Sequence, residues 1–310
     1  MLSVGGVVAG EVRAQLLAAT HEDVVVRSDV DMTWLETDFM SASGLLELLE
    51  AAARERRALP GMSAVYQALR AGASGAAARP VVFLSGSPRF FKRTIEGKMQ
   101  LDGVVHAGLI LKPFKDIVAA NLLDFDVEQL QDELEEQIGY KLAALLHLRL
   151  DVPPGVPEIL MGDDTEADVV VYVLYHRFTS GLLDAAQLGA ELERLAVSAG
   201  WRDEIARLAP LVAAHLEGRD APVRAVYINE TAAPGERYPV ADWQQGALVR
   251  YHAGAWPLVL DLFEEGRVSA EGVRAVRAAL EARGVDGAAR AAAAGEAAFV
   301  EGATAAMFAE

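Results

Sequence analysis

Cysteine is absent from the 310 residues. That excludes disulfides, thiolate metal sites and cysteine nucleophiles, and it matches the usage of a cytoplasmic chain. No apolar run reaches the roughly 18 residues that a membrane-spanning helix needs. No cationic stretch precedes an apolar one at Met1–Gly6 either, so neither an integral membrane segment nor a secretory signal is expected. Positive charge is scarce. Lys and Arg number 28 against 45 Asp and Glu, for a formal net charge of −17 and a pI near 4.8. So acidic a chain is no general nucleic-acid binder, although a locally basic pocket is still open to it. No repeat of fixed period is present. The histidines, His21, His106, His147, His176, His215 and His252, show no metal-ligand spacing and read as packing or surface residues.

What the chain does have is alternation. Val24–Ser28, Pro80–Leu84, a stretch within Gly103–Leu111, Glu158–Met161 and Val223–Ile228 read as strands buried on both faces. Helical periodicity falls between them: residues 7–20, Gly44–Arg57, Met62–Arg70, a long helix over 126–148, one over Glu166–Phe178 and two within 181–217. Ser87-Pro88 reads as a helix start, with Ser at the N-cap and Pro first in the helix. The tail has helical period from Trp243 through Arg283. Strands alternating with helices predict an α/β fold with a doubly wound parallel sheet. The expected organisation is a catalytic domain over 1–232, with a helical insertion at about 180–220. A helical C-terminal extension over 233–310 packs on its core.

The polar residues at the strand ends carry the chemistry. The first strand ends in Asp29 and Asp31, the second in Ser85, and the fourth in Asp163 and Asp164 with Asp168 beyond. The long helix carries Lys141. In an open α/β sheet such ends can converge on one edge. The set suits phosphoryl transfer through an aspartyl-phosphate. Asp29 is then the nucleophile. Asp31 protonates the leaving oxygen and later activates water. Ser85 bonds a phosphate oxygen, and Lys141 neutralises charge. So many carboxylates need cationic partners. A hard divalent ion, Mg²⁺, would take oxygens from Asp29, Asp31 and the group Asp163, Asp164 and Asp168. Thr33, Gly86, Arg89 and Lys92 fall on the substrate side, with Thr33 assigned to holding the turn. All five lysines lie between Lys92 and Lys141, and with Arg89 and Arg93 they mark a basic rim beside the second strand. A phospho-acceptor receiver domain also uses Asp, Ser or Thr, and Lys. Its acidic pair comes first in the chain, whereas here the adjacent pair Asp163-Asp164 comes late.

The order Asp29-x-Asp31-x-Thr33, Ser85, Lys141 and Gly162-Asp163-x-x-x-x-Asp168 resembles the four motifs of haloacid-dehalogenase-like phosphohydrolases. The closer resemblance, over roughly 22–230, is to the actin-patch-associated phosphatidate phosphatase-like family. It is carried by Ser28–Thr33, Leu59-Pro60-Gly61-Met62, Phe83–Pro88, Lys141 ahead of Gly162–Asp168, and Arg224–Ile228. Met32, Arg89 and Asp164-Thr165 depart from its usual residues. The resemblance implies a Rossmann-like fold with a minimal cap and a Mg²⁺-dependent phosphomonoesterase. Its substrate would be a phospholipid or another phosphorylated small molecule. The alternatives are a phosphatase of a soluble metabolite and a non-catalytic interaction protein on the same scaffold. The sequence assigns no oligomeric state.

Overall fold

The computed structural model describes residues 24–36, 56–112, 127–231, 248–297 and 299–308. The helix expected at 7–20, most of the one expected at 44–57, and Lys115 lie outside the described residues.

Six parallel strands form one sheet: β1 (Val25–Ser28), β2 (Val81–Pro88), β3 (Gly108–Lys112), β4 (Glu158–Asp163), β5 (Val223–Asn229) and β6 (Val249–His252). Their spatial order is β3-β2-β1-β4-β5-β6. The chain winds outward from β1 to β3 and then returns to build the other half from β4. The reversal falls between β1 and β4, which is where open α/β sheets open a crevice for ligands. The doubly wound α/β expectation holds.

Both sheet faces are apolar, as the valine runs require. Val25, Val82 and Leu84 point into one core, while Val24, Val26, Val81 and Phe83 point into the other. The first core is roofed by α3 (Val127–Leu150), α4 (Asp168–Thr179), α5 (Ala185–Arg194) and α6 (Ala199–His215). The second is roofed by α1 (Met62–Ala71), α2 (Lys92–Leu101), α7 (Ala255–Glu264) and α8 (Ala270–Ala282), with α9 (Gly287–Glu296) and α10 (Gly302–Met307) beyond.

Three differences from the expected elements follow from packing. Helix α3 is buried nearly all round from Ile138 to Leu148, because the sheet lies under it and α6 over it. The tail, read as helical from Trp243, contains β6, which pairs with β5 through Val226↔Val249 to Asn229↔His252. Helices α7 and α8 then supply Trp256, Leu258, Val259, Val273 and Val276 to the second core, so the C-terminal stretch completes a layer of the same sheet. Ser87-Pro88 does not start a helix. β2 runs on through Pro88, a 3-10 turn covers Arg89–Phe91, and α2 begins only at Lys92. The pairing register with β3 shifts between Ser85 and Pro88, an irregularity at this strand end.

Candidate active site

Parallel pairing sets the strand ends side by side. Ser28 is level with Phe83 on one side and Met161 on the other. The Asp29 N–H bonds the Met161 carbonyl at 2.8 Å, so the aspartate emerges at the switch point. Asp163 is level with Asn229 of β5, and Asn229 with His252 of β6.

After Asp29 the chain makes a tight turn. Trp34 and Leu35 N–H both bond the Val30 carbonyl, and Met32 takes a left-handed φ of 52°. Asn229 Nδ2 donates to the Met32 carbonyl at 2.8 Å, which ties the turn to β5. Thr33 is buried in this turn, and its hydroxyl has no hydrogen-bond partner among the described residues. Within it, Asp31 Oδ2 accepts from Ser85 Oγ at 3.0 Å and from Ser87 Oγ at 2.8 Å. Ser85 Oγ in turn accepts from the Ser87 N–H at 2.9 Å. Ser85 thus holds Asp31 rather than standing free for a phosphate. Ser87, read in the sequence as a helix N-cap, is instead a second hydroxyl on Asp31, and its place two residues past Ser85 on the same strand face is the signal for that role.

Lys141 is fully buried, and its ammonium donates to three acids. These are Asp29 Oδ1 at 2.8 Å, Glu166 Oε2 at 2.8 Å and Asp168 Oδ1 at 2.5 Å. Gly162 permits this closeness, since a Cβ there would meet Asp168 Oδ2 at 2.5 Å. Asp163 Oδ1 accepts from the Thr165 N–H at 2.7 Å, the Glu166 N–H at 3.2 Å and the Thr165 hydroxyl. That loop fixes the carboxylate, and Oδ2 has no partner among the described residues. Asp29 Oδ2 is likewise buried and unbonded. One oxygen each from Asp29, Asp163 and Glu166 come within 4.8 Å of one another.

The other predicted residues take different places. Asp168 is spent on Lys141 and on the Asp163 N–H at 3.4 Å. Asp164 Oδ1 accepts from the Thr231 N–H at 2.8 Å, toward β5. Glu166, three residues past Asp163, joins the cluster instead. Its signal was its position inside the Gly162–Asp168 window. Gly86 adjoins α3: a Cβ there would meet Gln137 Nε2 at 2.8 Å. Arg89 and Lys92 are exposed just past β2, and Lys92 faces Glu96 at 3.6 Å. Of the other rim cations, Arg93 is exposed beside Lys92, Lys98 pairs with Asp102 at 2.6 Å and Lys112 is buried. Arg56 is a further cation that the sequence did not mark. It is buried against the Phe91 ring at 4.9 Å, and the Asp31 charge acts on it.

Electrostatically the cluster is short of positive charge. Burial raises the Asp29 carboxyl well above the usual range. Lys141 opposes that shift, and Asp168, Glu166 and Asp31 reinforce it. Asp163 is raised by burial first, then by Asp168 and Glu166. Burial lifts Asp168 to about 6 against the pull of Lys141. Burial works against the Lys141 charge too, but Asp168, Asp29 and Glu166 together hold it well above the ordinary lysine range. Here one ammonium faces four carboxylates, and two buried carboxylate oxygens lack a donor. All the donor atoms are hard oxygens, so the residues fit a small divalent cation.

A doubly wound sheet with this acidic crevice at its switch point defines an α/β protein that works at the carboxyl edge of its strands. Residues 24–182 match the model of the phosphatidate phosphatase APP1 catalytic domain, and the chain belongs to that family. It is by that membership a phosphatase, a phosphoric monoester hydrolase. No curated protein and no solved structure matches the chain. Among the described residues no helix is long and apolar enough to cross a membrane.

Proposed function

We propose that the chain hydrolyses a phosphomonoester of the phosphatidate type by transferring the phosphoryl group to Asp29. The observation that carries this is Asp29 itself: fully buried at the switch point, one oxygen on Lys141 and the other without a partner. A carboxylate so placed attacks phosphorus without a separate base. As the Asp29 oxygen bonds to phosphorus, the bond from phosphorus to the leaving alcohol oxygen breaks, and that oxygen takes a proton from Asp31. Water then attacks the phosphorus of the aspartyl-phosphate and gives a proton to Asp31. This releases phosphate and restores both side chains. Ser85 and Ser87 hold Asp31 in line through Oδ2, and Asn229 keeps its turn in place. Lys141 keeps Asp29 oriented and offsets charge on the phosphoryl oxygens.

Asp29, Asp163 and Glu166, with the Asp31 backbone carbonyl, would hold Mg²⁺. When bound, the ion screens the phosphate and the acids from one another. The phosphatidate assignment rests on the family. It agrees with Arg89 and Lys92, exposed cations just past β2 in an acidic chain. Domain 1–232 with its extension then acts as one catalytic unit on a lipid presented at a surface.

The test is phosphate release from phosphatidate micelles and from an aryl phosphate, with Mg²⁺ and with a chelator. Release that needs the cation and vanishes in Asp29→Asn is the expected result. Full activity in Asp29→Asn would overturn the mechanism. Strong preference for sugar or nucleotide phosphates would overturn the lipid reading.

A further inference from the structure

Two polar side chains beside the cluster have no part in the chemistry above. Gln137 and Tyr140 lie on α3, four residues and one residue before Lys141, and both are more than nine-tenths buried. Among the described residues nothing donates to Gln137 Oε1 and nothing bonds the Tyr140 hydroxyl. An orphaned buried polar group destabilises the fold it sits in, so two of them beside the site suit a bound partner.

Their position shows where that partner lies. Helix α3 follows β3 in a parallel sheet, so it starts at the carboxyl edge and descends from there. Gln137 shares a helix face with Lys141 and stands about 6 Å further out, beyond the phosphate position. Its amide lies against Gly86, between Ser85 and Ser87, the two hydroxyls that hold Asp31. Asp31 serves the leaving oxygen, so Gln137 faces the alcohol side of the substrate. The charges of Lys141, Arg89 and Asp29 all reach the Tyr140 hydroxyl. The tyrosine ring is held edge-on against Trp201 of α6, with centroids 5.8 Å apart.

We propose that Gln137 and Tyr140 form a subsite for the alcohol part of the phosphomonoester, one that takes a free hydroxyl on the carbon next to the phosphate-bearing carbon. The assignment rests on the phosphatase reading and narrows its phosphatidate-type substrate to the lyso form, in which that hydroxyl is free. A hydroxyl donates and accepts at once. It satisfies a glutamine amide turned either way and a tyrosine hydroxyl in either role. An ester carbonyl only accepts, and a methylene does neither. Buried polar groups that bond a substrate hydroxyl reject the analogue lacking it, because they are then left unpaired.

Three micellar substrates test this: lysophosphatidate with a free 2-hydroxyl, its 2-deoxy analogue, and phosphatidate with the 2-position esterified. In Mg²⁺ the wild type is expected to turn over phosphatidate, which cannot donate at that position, more slowly than the 2-hydroxyl compound, and to favour the 2-hydroxyl compound over the 2-deoxy compound by about tenfold or more in kcat/KM. Gln137→Leu and Tyr140→Phe each bring that ratio close to one. Both variants also melt at or above the wild-type temperature, since an apolar group of similar shape removes an orphan. A residue with a purely structural role would lower the melting temperature and leave the ratio alone. No preference in the wild type, or an unchanged ratio in both variants, overturns the subsite and leaves the phosphatase reading standing. No phosphate released from any of the three by the wild type overturns that reading, and the subsite with it.

Discussion

Two ionic clusters are buried between α3 and the sheet, one at each end of β4, and they are built on opposite principles. At the lower end Glu158 of β4 has both carboxylate oxygens engaged. Arg27 and Arg149 bond Oε1, Arg149 at 2.8 Å, and the Tyr175 hydroxyl bonds Oε2 at 2.6 Å. Arg149 also donates to the carbonyls of Val156, Val152 and Pro153, and Arg27 to that of Leu145. Only the Nε groups of the two arginines lack an acceptor there. Two cations surround one anion, and the cations find backbone acceptors. At the upper end one cation faces four anions, and two carboxylate oxygens point into the crevice unbonded. Burial alone therefore does not mark a functional cluster. What separates the two ends is whether the carboxylate valences are closed, and the open ones fall at the switch point of the sheet.

The sharpest way to break the comparison is Asp29→Asn. If the upper cluster is the working one, phosphate release falls by about 10⁴-fold or more. The variant still folds, because an amide removes a buried charge from an over-acidic site. Circular dichroism and a melting curve beside the rate measurement distinguish lost chemistry from lost structure.

Glu158→Leu is the converse experiment. It strands Arg27 and Arg149, both fully buried, without their carboxylate. Breaking a buried pair from one side costs about 3–5 kcal/mol. Urea unfolding reads that loss, and the protein that remains folded keeps its activity. A loss under about 1 kcal/mol would mean that the backbone carbonyls alone satisfy the arginines.

The two clusters were not equally legible in the sequence. Asp29, Asp31, Ser85, Lys141 and Asp163 stand at strand ends or on a long helix, where alternation and chain order foretell convergence. Glu158 and Arg27 looked like ordinary strand residues, because pairing across 131 positions has no local signature. Glu166 was hidden for a related reason. Spacing placed the acids of the loop together, but only the turn around Asp163 Oδ1 decides which of them faces Asp29. β6 was missed because four residues, Val249–His252, make too short a run to stand out beside helical neighbours. Ser85 stands at the strand end where the alternation places it, while its bond to Asp31, made where the register of β2 shifts, has no signature in the sequence.

A smaller effect belongs to neither cluster. His252 at the tip of β6 is buried, which pushes its pKa down to about 4, while its bond to the Gly254 carbonyl resists that shift. Facing it is the Tyr227 ring at 6.3 Å, whose hydroxyl bonds Asp261. The folded state keeps this ring neutral, while the unfolded chain protonates it near 6.5. Its contribution is therefore whole above about 6.5 and is lost as pH falls toward 4, amounting to about 3 kcal/mol. Between pH 7 and pH 4 the unfolding free energy of the wild type should change by that much more in the destabilising direction than that of a variant lacking the ring. The raised carboxyls of Asp29, Asp163 and Asp168 add the opposite slope to both. In His252→Gln the part between those two values should be gone. An identical slope in both proteins would assign the acid limb elsewhere.

The mildest test adds the cation itself, and it separates the clusters without measuring catalysis. An ion that binds only the folded state stabilises it by about 2.7 kcal/mol at a hundred times its dissociation constant. Mg²⁺ should therefore raise the melting temperature of the wild type and of Asp31→Asn, which keeps the three facing oxygens of Asp29, Asp163 and Glu166. Asp163→Asn should abolish the rise, because the amide cannot present an anionic oxygen where Oδ2 now lies without a donor. Glu158→Leu should lower the melting temperature yet keep the full Mg²⁺ increment, since the lower cluster has no open carboxylate oxygen to offer. If Asp163→Asn responds to Mg²⁺ as the wild type does, the ion binds away from the crevice. The unpaired oxygens would then have to be satisfied by protons, the state toward which burial already drives Asp29 and Asp163.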